Sequence, residues 1–144
     1  MAEADTYLLG ELRYSFFGQA FASADLDGDG RPDLAVGQHA GKTRILHNRA
    51  GKPGVRVALE GSPGNPEGVG AVIRLVMGER LGPAREIHAG SGFRSQDSPD
   101  TVLAAPEPPT ALEVRWPGGR TQRRPWPPGA RAVTVSETGL RQRQ

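Results

Sequence analysis

The chain has 144 residues, of which 36% are hydrophobic, a length that suits one domain or one domain with a fragment of another. With 20 glycines, 13 prolines and no cysteine, the composition favours turns over helices and excludes a disulfide framework. The net charge is only +2, and no run approaches the roughly 18 consecutive apolar residues of a membrane-spanning helix, so no membrane span is expected.

The first part of the chain shows short β-strand patterns on either side of an acidic loop. Aromatic and aliphatic residues around Tyr7–Phe17 predict one or two strands. Phe21–Ala24 leads into the loop, Asp33–Gly37 follows it as a short buried strand, and Thr43–His47 forms another. The polar, glycine-rich segment 48–54 then predicts a boundary.

Beyond that boundary, apolar and polar residues alternate in further short segments separated by glycine and proline. Val55, Val57 and Leu59 have the period of two that is typical of a strand with one buried face. No window of helical length has a 3.6-residue period with sound caps, so a β-sandwich or barrel is expected. The predicted strands of this part are Val55–Leu59, Ala71–Met77, Ala84–His88, Thr101–Leu103, Leu112–Trp116 and Ala130–Val135.

We therefore predict an all-β protein in three parts. Residues 1–50 contain the N-terminal strands and the acidic-loop hairpin, and residues 51–138 form a small antiparallel β-sandwich or barrel. The hairpin is expected to pack on this domain or to be linked to it. Residues 139–144 are assigned to a basic tail.

The acidic loop carries carboxylates at alternate positions, which is typical of a calcium site. Calcium takes six to eight oxygen ligands, and side chains at alternate positions of a tightly curled loop point inward together. A glycine at the sixth position, Gly30, permits the positive φ that turns the chain. The predicted ligands are the carboxylates at positions 1, 3, 5 and 9 and one backbone carbonyl at position 7, namely Asp25, Asp27, Asp29, Asp33 and Arg31.

This loop differs from an EF-hand. An EF-hand has a bidentate glutamate at position 12, where this chain has Val36, and no helical pattern flanks the loop. The oxygen arrangement is therefore placed on a strand–loop–strand unit. Magnesium is disfavoured because it tends to keep its waters. The alternative is an acidic surface turn that binds no ion.

The segment Phe21-Ala-Ser-Ala-Asp-Leu-Asp-Gly-Asp-Gly-Arg-Pro-Asp-Leu-Ala-Val-Gly37 resembles the FG-GAP or VCBS repeat of integrin-type β-propellers. The resemblance covers about residues 20–48. It implies a partial propeller-type hairpin whose loop binds Ca2+ between two strands of a blade. Only one repeat is present, whereas a propeller needs several blades. The unit therefore either follows further blades upstream or packs directly on what comes next.

Residues 54–137 resemble the ASPIC/UnbV domain, which follows FG-GAP repeats in cartilage acidic protein-like and bacterial secreted proteins. The matching stretches are Asn65 through Gly68-Val-Gly-Ala71, Ala89-Gly-Ser-Gly-Phe-Arg-Ser-Gln96 and Leu112-Glu-Val-Arg-Trp-Pro-Gly-Gly119. The family's usual Phe-Gly-Leu-Gly is replaced by Val102-Leu-Ala-Ala105. The resemblance implies extracellular adhesion or matrix-like roles and no catalytic residues.

Candidate catalytic residues do not form a recognisable arrangement. The histidines His39, His47 and His88 lack zinc-motif spacing, and each is interpreted as a partly exposed strand or turn residue. The sequence Gly90-Ser-Gly92 is better explained by a tight turn than by a nucleophile. We therefore expect no enzyme.

The two tryptophans allow different interpretations. Trp116 ends an alternating strand and is expected to cap the core. Trp126 lies in a proline-rich segment, so it is expected to be the more exposed of the two and a contact residue. An exposed aromatic of this kind also stacks on sugars, which keeps a carbohydrate-binding or carbohydrate-active protein as an alternative.

The distribution of charge along the chain indicates possible partners, and the N-terminal sequence indicates the cellular location. Residues 1–37 carry seven acids against two bases, and residues 113–144 carry seven arginines against two glutamates. We interpret the arginines as a solvated surface and expect no nucleic-acid partner. The N-terminal sequence Met1–Asp5 lacks signal-peptide features, so an extracellular or cell-surface location requires a missing upstream region.

These observations predict a non-enzymatic, calcium-stabilised adhesion, matrix or assembly module. Its expected partners are a matrix protein or glycan, or further copies of the chain. In the second case the protein is a self-assembling filament subunit or homo-oligomer, because exposed strand edges around Tyr7–Phe17 recruit other chains.

Overall fold

The structure, a computed structural model, describes residues 17–38, 41–90 and 97–143. These residues form β-strands and connections, and they include no helix long and apolar enough to cross a membrane. The strands are β1 Phe17–Ala24, β2 Asp33–Gln38, β3 Arg44–Leu46, β4 Val55–Glu60, β5 Val72–Met77, β6 Arg80–Leu81, β7 Arg85–Glu86, β8 Thr101–Leu103, β9 Ala111–Arg115, β10 Thr121–Pro125, β11 Ala132–Ser136 and β12 Leu140–Gln142.

The N-terminal unit is a three-stranded antiparallel sheet in the order β1-β2-β3, called here the hairpin sheet. Ala24 pairs with Asp33 at the end where β1 and β2 are joined by the acidic loop. Of the strands predicted around Tyr7–Phe17, only Phe17 lies within the described residues, where it begins β1. The hairpin sheet therefore positions the loop at one of its ends.

The C-terminal unit contains two sheets that share one core. The first sheet has the order β10-β9-β5-β6, with β7 also paired to β5, and the second has the order β12-β11-β4-β8. Neither sheet closes into a barrel. Of the two predicted alternatives, the C-terminal unit is therefore a sandwich. One pair, β4 with β11, is parallel, whereas the other pairs in these two sheets are antiparallel.

Alternation of apolar residues builds the core between the two sheets. In β4, Val55, Val57 and Leu59 are all buried, as their spacing predicts. Ile73 in β5 and Leu112 in β9 are fully buried against them from the first sheet. The core is thus made by inward-facing residues of both sheets.

Both tryptophans belong to this core, and the prediction for Trp126 is wrong. Trp116 is 3% exposed, as expected, but Trp126 is only 6% exposed. Its indole Nε1 donates a hydrogen bond to the carbonyl of Ala130 at 3.2 Å, and both residues belong to the core cluster. Neither indole therefore supplies the exposed aromatic surface that motivated the carbohydrate alternative.

Three strands have no counterpart in the sequence-based assignment. β10 contains Thr121–Pro125 and lacks an apolar face, but the turn at Gly118 and Gly119, both with positive φ, returns it along β9. β6 is a two-residue strand beside β5. The segment 139–144, which we separated as a basic tail, contributes Leu140–Gln142 as the edge strand β12, paired with β11.

Candidate metal centre

The acidic loop curls because two of its glycines occupy a region that other residues rarely adopt. Gly28 and Gly30 have φ values of 81° and 83°. The Asp25 carboxylate holds this curl, since its Oδ1 accepts the Gly28 N–H at 2.8 Å and its Oδ2 accepts the Gly30 N–H at 3.1 Å. The curl of the loop and the position of the Asp25 carboxylate therefore depend on each other.

The next two aspartates are held by the same kind of local bond. Asp27 Oδ1 accepts the N–H of Asp29 at 3.2 Å, and Asp29 Oδ1 accepts the N–H of Arg31 at 2.8 Å. One carboxylate oxygen from each of Asp25, Asp27 and Asp29 lies within 4.8 Å of the others. We call these three side chains the three-carboxylate group.

Asp33 is buried and anchors the far side of the loop. Its Oδ1 accepts the Asn48 N–H at 2.8 Å, and its Oδ2 accepts the Leu26 N–H at 2.9 Å. The bond from Asn48 is the main reason why the pKa of Asp33 is lowered; burial acts in the opposite direction, and Leu26 and His47 lower the pKa further. Asp33 is therefore ionised at neutral pH.

Asp33 does not join the three-carboxylate group but forms a second cluster. Its Oδ2 lies 3.4 Å from His47 Nδ1, and Asp27 Oδ2 lies 3.4 Å from the same nitrogen. The predicted ligands are thus divided, with Asp27 in both clusters. The Arg31 guanidinium pairs with Asp29, and the role of its carbonyl as a ligand stays a prediction.

The loop is attached to the C-terminal unit by two contacts. The Gly54 N–H donates to the Gly30 carbonyl at 2.8 Å. Two residues after Gly54, in β4, the Arg56 guanidinium lies 3.3 Å from Asp25 Oδ2, and the Asp25 side chain is only 3% exposed. The candidate centre therefore sits at the junction between the hairpin sheet and the sandwich.

A third contact ties the two units beside the loop. The N–H of Ser23 in β1 donates to Asp97 Oδ1 at 2.7 Å, and the Ser98 N–H donates to the Ser23 carbonyl at 3.0 Å. This segment precedes β8, so it covers part of the outer edge of β1. The junction thus has hydrogen bonds on either side of the acidic loop.

Sequence reasoning did not assign His47 and Arg56 to the centre. His47 follows β3, and the pairing of Leu34 with Leu46 places it beside the start of β2, where Asp33 lies. That position could have been found only from the strand register. Arg56 depends on how the two units meet. His39 lies outside the described residues, and His88 is exposed, 3.8 Å from Glu86.

The donor set fits calcium. Two ligands on opposite sides of a calcium ion, each at about 2.4 Å, are about 4.8 Å apart. The oxygens of the three-carboxylate group lie within that same limit of one another, and carboxylate oxygens are the hard donors that calcium prefers. These three aspartates would hold the ion, which would supply positive charge to a loop that otherwise crowds anionic groups.

Comparison with known proteins assigns both units. An FG-GAP repeat matches residues 17–52, and the family described as ASPIC and UnbV matches residues 61–142, in the order that the sequence predicts. No curated protein sequence matches the chain. FG-GAP repeats commonly bind calcium and are typical of extracellular or surface proteins. Since the second match spans more than half of the chain, this protein belongs to the ASPIC and UnbV family and carries an FG-GAP repeat ahead of that domain.

Proposed function

We propose that the acidic loop binds one calcium ion and that this ion stabilises the junction between the FG-GAP unit and the ASPIC/UnbV domain. The whole chain then acts as a non-enzymatic binding or assembly module of an extracellular, adhesion-like protein. The observation that carries this proposal is the convergence of Asp25, Asp27 and Asp29 at the contact between the two units.

Charge balance supports a bound cation. The oxygens of these three carboxylates lie within 4.8 Å of one another, and carboxylates crowded in this way without a cation repel one another. Arg31 offsets Asp29, and Arg56 lies beside Asp25, whereas the Asp27 carboxylate, 43% exposed, lies 3.4 Å from the imidazole of His47. A divalent cation compensates this charge and replaces repulsion by coordination.

The position of the loop explains why such an ion would act beyond the loop itself. The Gly30 carbonyl and the Asp25 carboxylate both touch the start of the sandwich, at Gly54 and Arg56. An ion that fixes the curl of the loop therefore also fixes the partners of those two residues. The bound form resists separation of the two units more than the ion-free form does.

Calcium titration of metal-stripped protein tests this proposal. We expect saturable binding of about one ion in calorimetry, and loss of that binding in Asp29→Asn, because the substitution removes a ligand charge but keeps the side-chain volume. Glu79→Gln is the matched control, since Glu79 is exposed in the turn after β5 and its removal changes the net charge equally. If Asp29→Asn bound calcium with the same stoichiometry and affinity as wild type, the proposal would be wrong.

Self-association is a second candidate role, favoured by exposed apolar side chains on the hairpin sheet. Ile45 in β3 is 56% exposed and Phe21 in β1 is 45% exposed. Among the described residues, β1 and β3 are the outer strands of this sheet, and unpaired strand edges recruit other chains. The Asp97–Ser98 segment already covers part of the β1 edge, so β3 is the more available edge.

Light scattering at rising protein concentration tests this role. We expect the mean mass to increase with concentration and Ile45→Lys to suppress the increase, because a lysine on an edge strand opposes pairing with another chain. Leu81→Lys is a suitable control, since Leu81 is 48% exposed but lies in β6 of the sandwich. A monomer at every concentration would remove self-association as a role.

A further inference from the structure

One end of the sandwich carries a cavity of about 810 Å3 that is lined by residues from both sheets. The strands β4 and β11 run parallel, so both begin at the same end of the second sheet. In the first sheet, Ala111 at the start of β9 pairs with Pro125 at the end of β10. Residues at or just beyond these strand ends line the cavity, which therefore lies at the mouth of the core.

The walls of this cavity are apolar and rigid. Four prolines line it, and a proline ring fixes φ and removes the backbone N–H donor. Trp126 also lines it, and its Nε1–H is already used by the Ala130 carbonyl, so the indole offers only its ring. The apolar residues that matter here are Pro53, Val55, Pro108, Pro109, Trp126 and Pro128. The cavity is thus pre-formed for an apolar body.

The polar groups at the cavity leave one charge without compensation. The Glu107 carboxylate lies 2.9 Å from the Arg80 guanidinium, and the Thr110 hydroxyl donates to the Val76 carbonyl at 3.1 Å. Arg131 lines the cavity and is exposed, and no carboxylate among the described residues forms an ion pair with it. An apolar cavity with a guanidinium at its rim is complementary to an anion that has an apolar body.

We propose that this cavity binds a small amphipathic anion, with an apolar ring-bearing body and one carboxylate or sulfonate group. Small-molecule sites are mostly apolar concave pockets of about 300–1,000 Å3 with a few polar groups that fix orientation, and this cavity lies within that range. The body packs on the prolines and Trp126, and Arg131 binds the anionic group. A guanidinium suits this role because its planar N–H groups match two anionic oxygens at once.

This site is separate from the acidic loop. None of the four loop aspartates, all of which the structure describes, lines the cavity. The inference therefore does not depend on calcium, and failure of either proposal leaves the other untouched.

The test is a fluorescence titration of the full chain with 8-anilinonaphthalene-1-sulfonate, an aromatic anion whose emission rises in apolar surroundings. The uncharged N-phenyl-1-naphthylamine, which has the same rings without the sulfonate, is titrated in parallel. We expect about one sulfonate probe per chain, as for a single concave site. Arg131→Gln should weaken its binding about three- to tenfold, since a partly solvated ion pair is lost, and should leave the uncharged probe unaffected.

Two matched controls accompany these measurements. Arg115→Gln removes an equal charge from an exposed arginine that does not line the cavity, so sulfonate binding should stay as in wild type. Ala105 lines the cavity, whereas its exposed neighbour Ala104 does not. Ala105→Phe should fill the space and weaken both probes at least about tenfold, and Ala104→Phe should weaken neither.

The outcomes separate this site from other occupants. Equal sulfonate affinity in Arg131→Gln and wild type would overturn the anionic ligand, and so would equal affinity of wild type for the two probes. Full binding in a folded Ala105→Phe variant, as judged by circular dichroism, would place the probe elsewhere and overturn the site. Dissociation of a dimer on probe addition, measured by light scattering, would mean that a second copy fills the cavity, which also contradicts the proposal.

Discussion

Replacing Trp126 with alanine is expected to lower the free energy of unfolding by about 3–5 kcal/mol. The indole is 6% exposed and belongs to the core shared by both sheets. Its removal leaves a cavity and deprives the Ala130 carbonyl of the Nε1–H donor at 3.2 Å. Urea denaturation followed by circular dichroism measures this loss.

Trp126→Phe is the graded control for this effect. Phenylalanine keeps much of the apolar volume but cannot donate to Ala130, so a smaller loss than that of the alanine variant is expected. A change within about 0.5 kcal/mol for Trp126→Ala would contradict the buried position, because only surface substitutions are normally that mild. It would also restore Trp126 as an exposed contact residue.

Gly54→Ala is expected to destabilise the protein by about 3 kcal/mol, because its methyl group has no space. A Cβ atom at this position would lie 2.4 Å from the Leu103 carbonyl oxygen and 2.8 Å from Val102 Cγ1. The carbonyl belongs to β8, which pairs with β4 directly after Gly54, so the backbone itself would have to move. That movement also disturbs the Gly54 N–H bond to Gly30 at the candidate metal centre.

Gly64→Ala is the matched control for this substitution. A Cβ atom at Gly64 meets no atom within 4 Å, and the residue lies in the loop between β4 and β5. We expect its unfolding free energy to stay within about 0.5 kcal/mol of wild type. If chemical denaturation gave the same value for Gly54→Ala, the close approach of β4 and β8 at this position would be wrong.

Local patterns in the sequence identify much of the fold. Alternating apolar residues in segments such as Val55–Leu59 predict strands because a strand places every second side chain on one face. The spacing of the aspartates and the glycine at Gly30 predict the curled loop. Both features are local, because the aspartates are close in sequence and the positive φ belongs to Gly30 itself. The family and the order of the two units were also predicted correctly, because their motifs consist of residues that are close in sequence.

Features that depend on contacts between distant segments could not be predicted in this way. β10 has no apolar face, and its place is set by pairing with β9 after a glycine turn. Trp126 is surrounded by prolines, which by themselves indicate an extended segment, but the chain folds back and buries the indole. In both cases contacts with distant segments determine the structure, although the local sequence pattern indicates otherwise.

The candidate site shows the same limit. Its aspartates lie within nine consecutive positions and are visible in the sequence. Their division into two clusters is not visible, because it depends on His47 at the end of β3 and on the backbone donors that hold Asp33. The contribution of Arg56 requires the second unit to be in place against the loop.

Scanning calorimetry of the whole chain, with calcium and with a chelator, tests whether an ion in the acidic loop stabilises the junction. With free calcium at about 100 times its dissociation constant, bound ion adds about 2.7 kcal/mol to the folded state, which raises the melting temperature by roughly 5–10 °C. We expect that rise in wild type and in Glu79→Gln, and none in Asp29→Asn. Identical melting temperatures of wild type with calcium and with chelator would contradict the calcium-stabilised junction and leave the loop as an acidic turn.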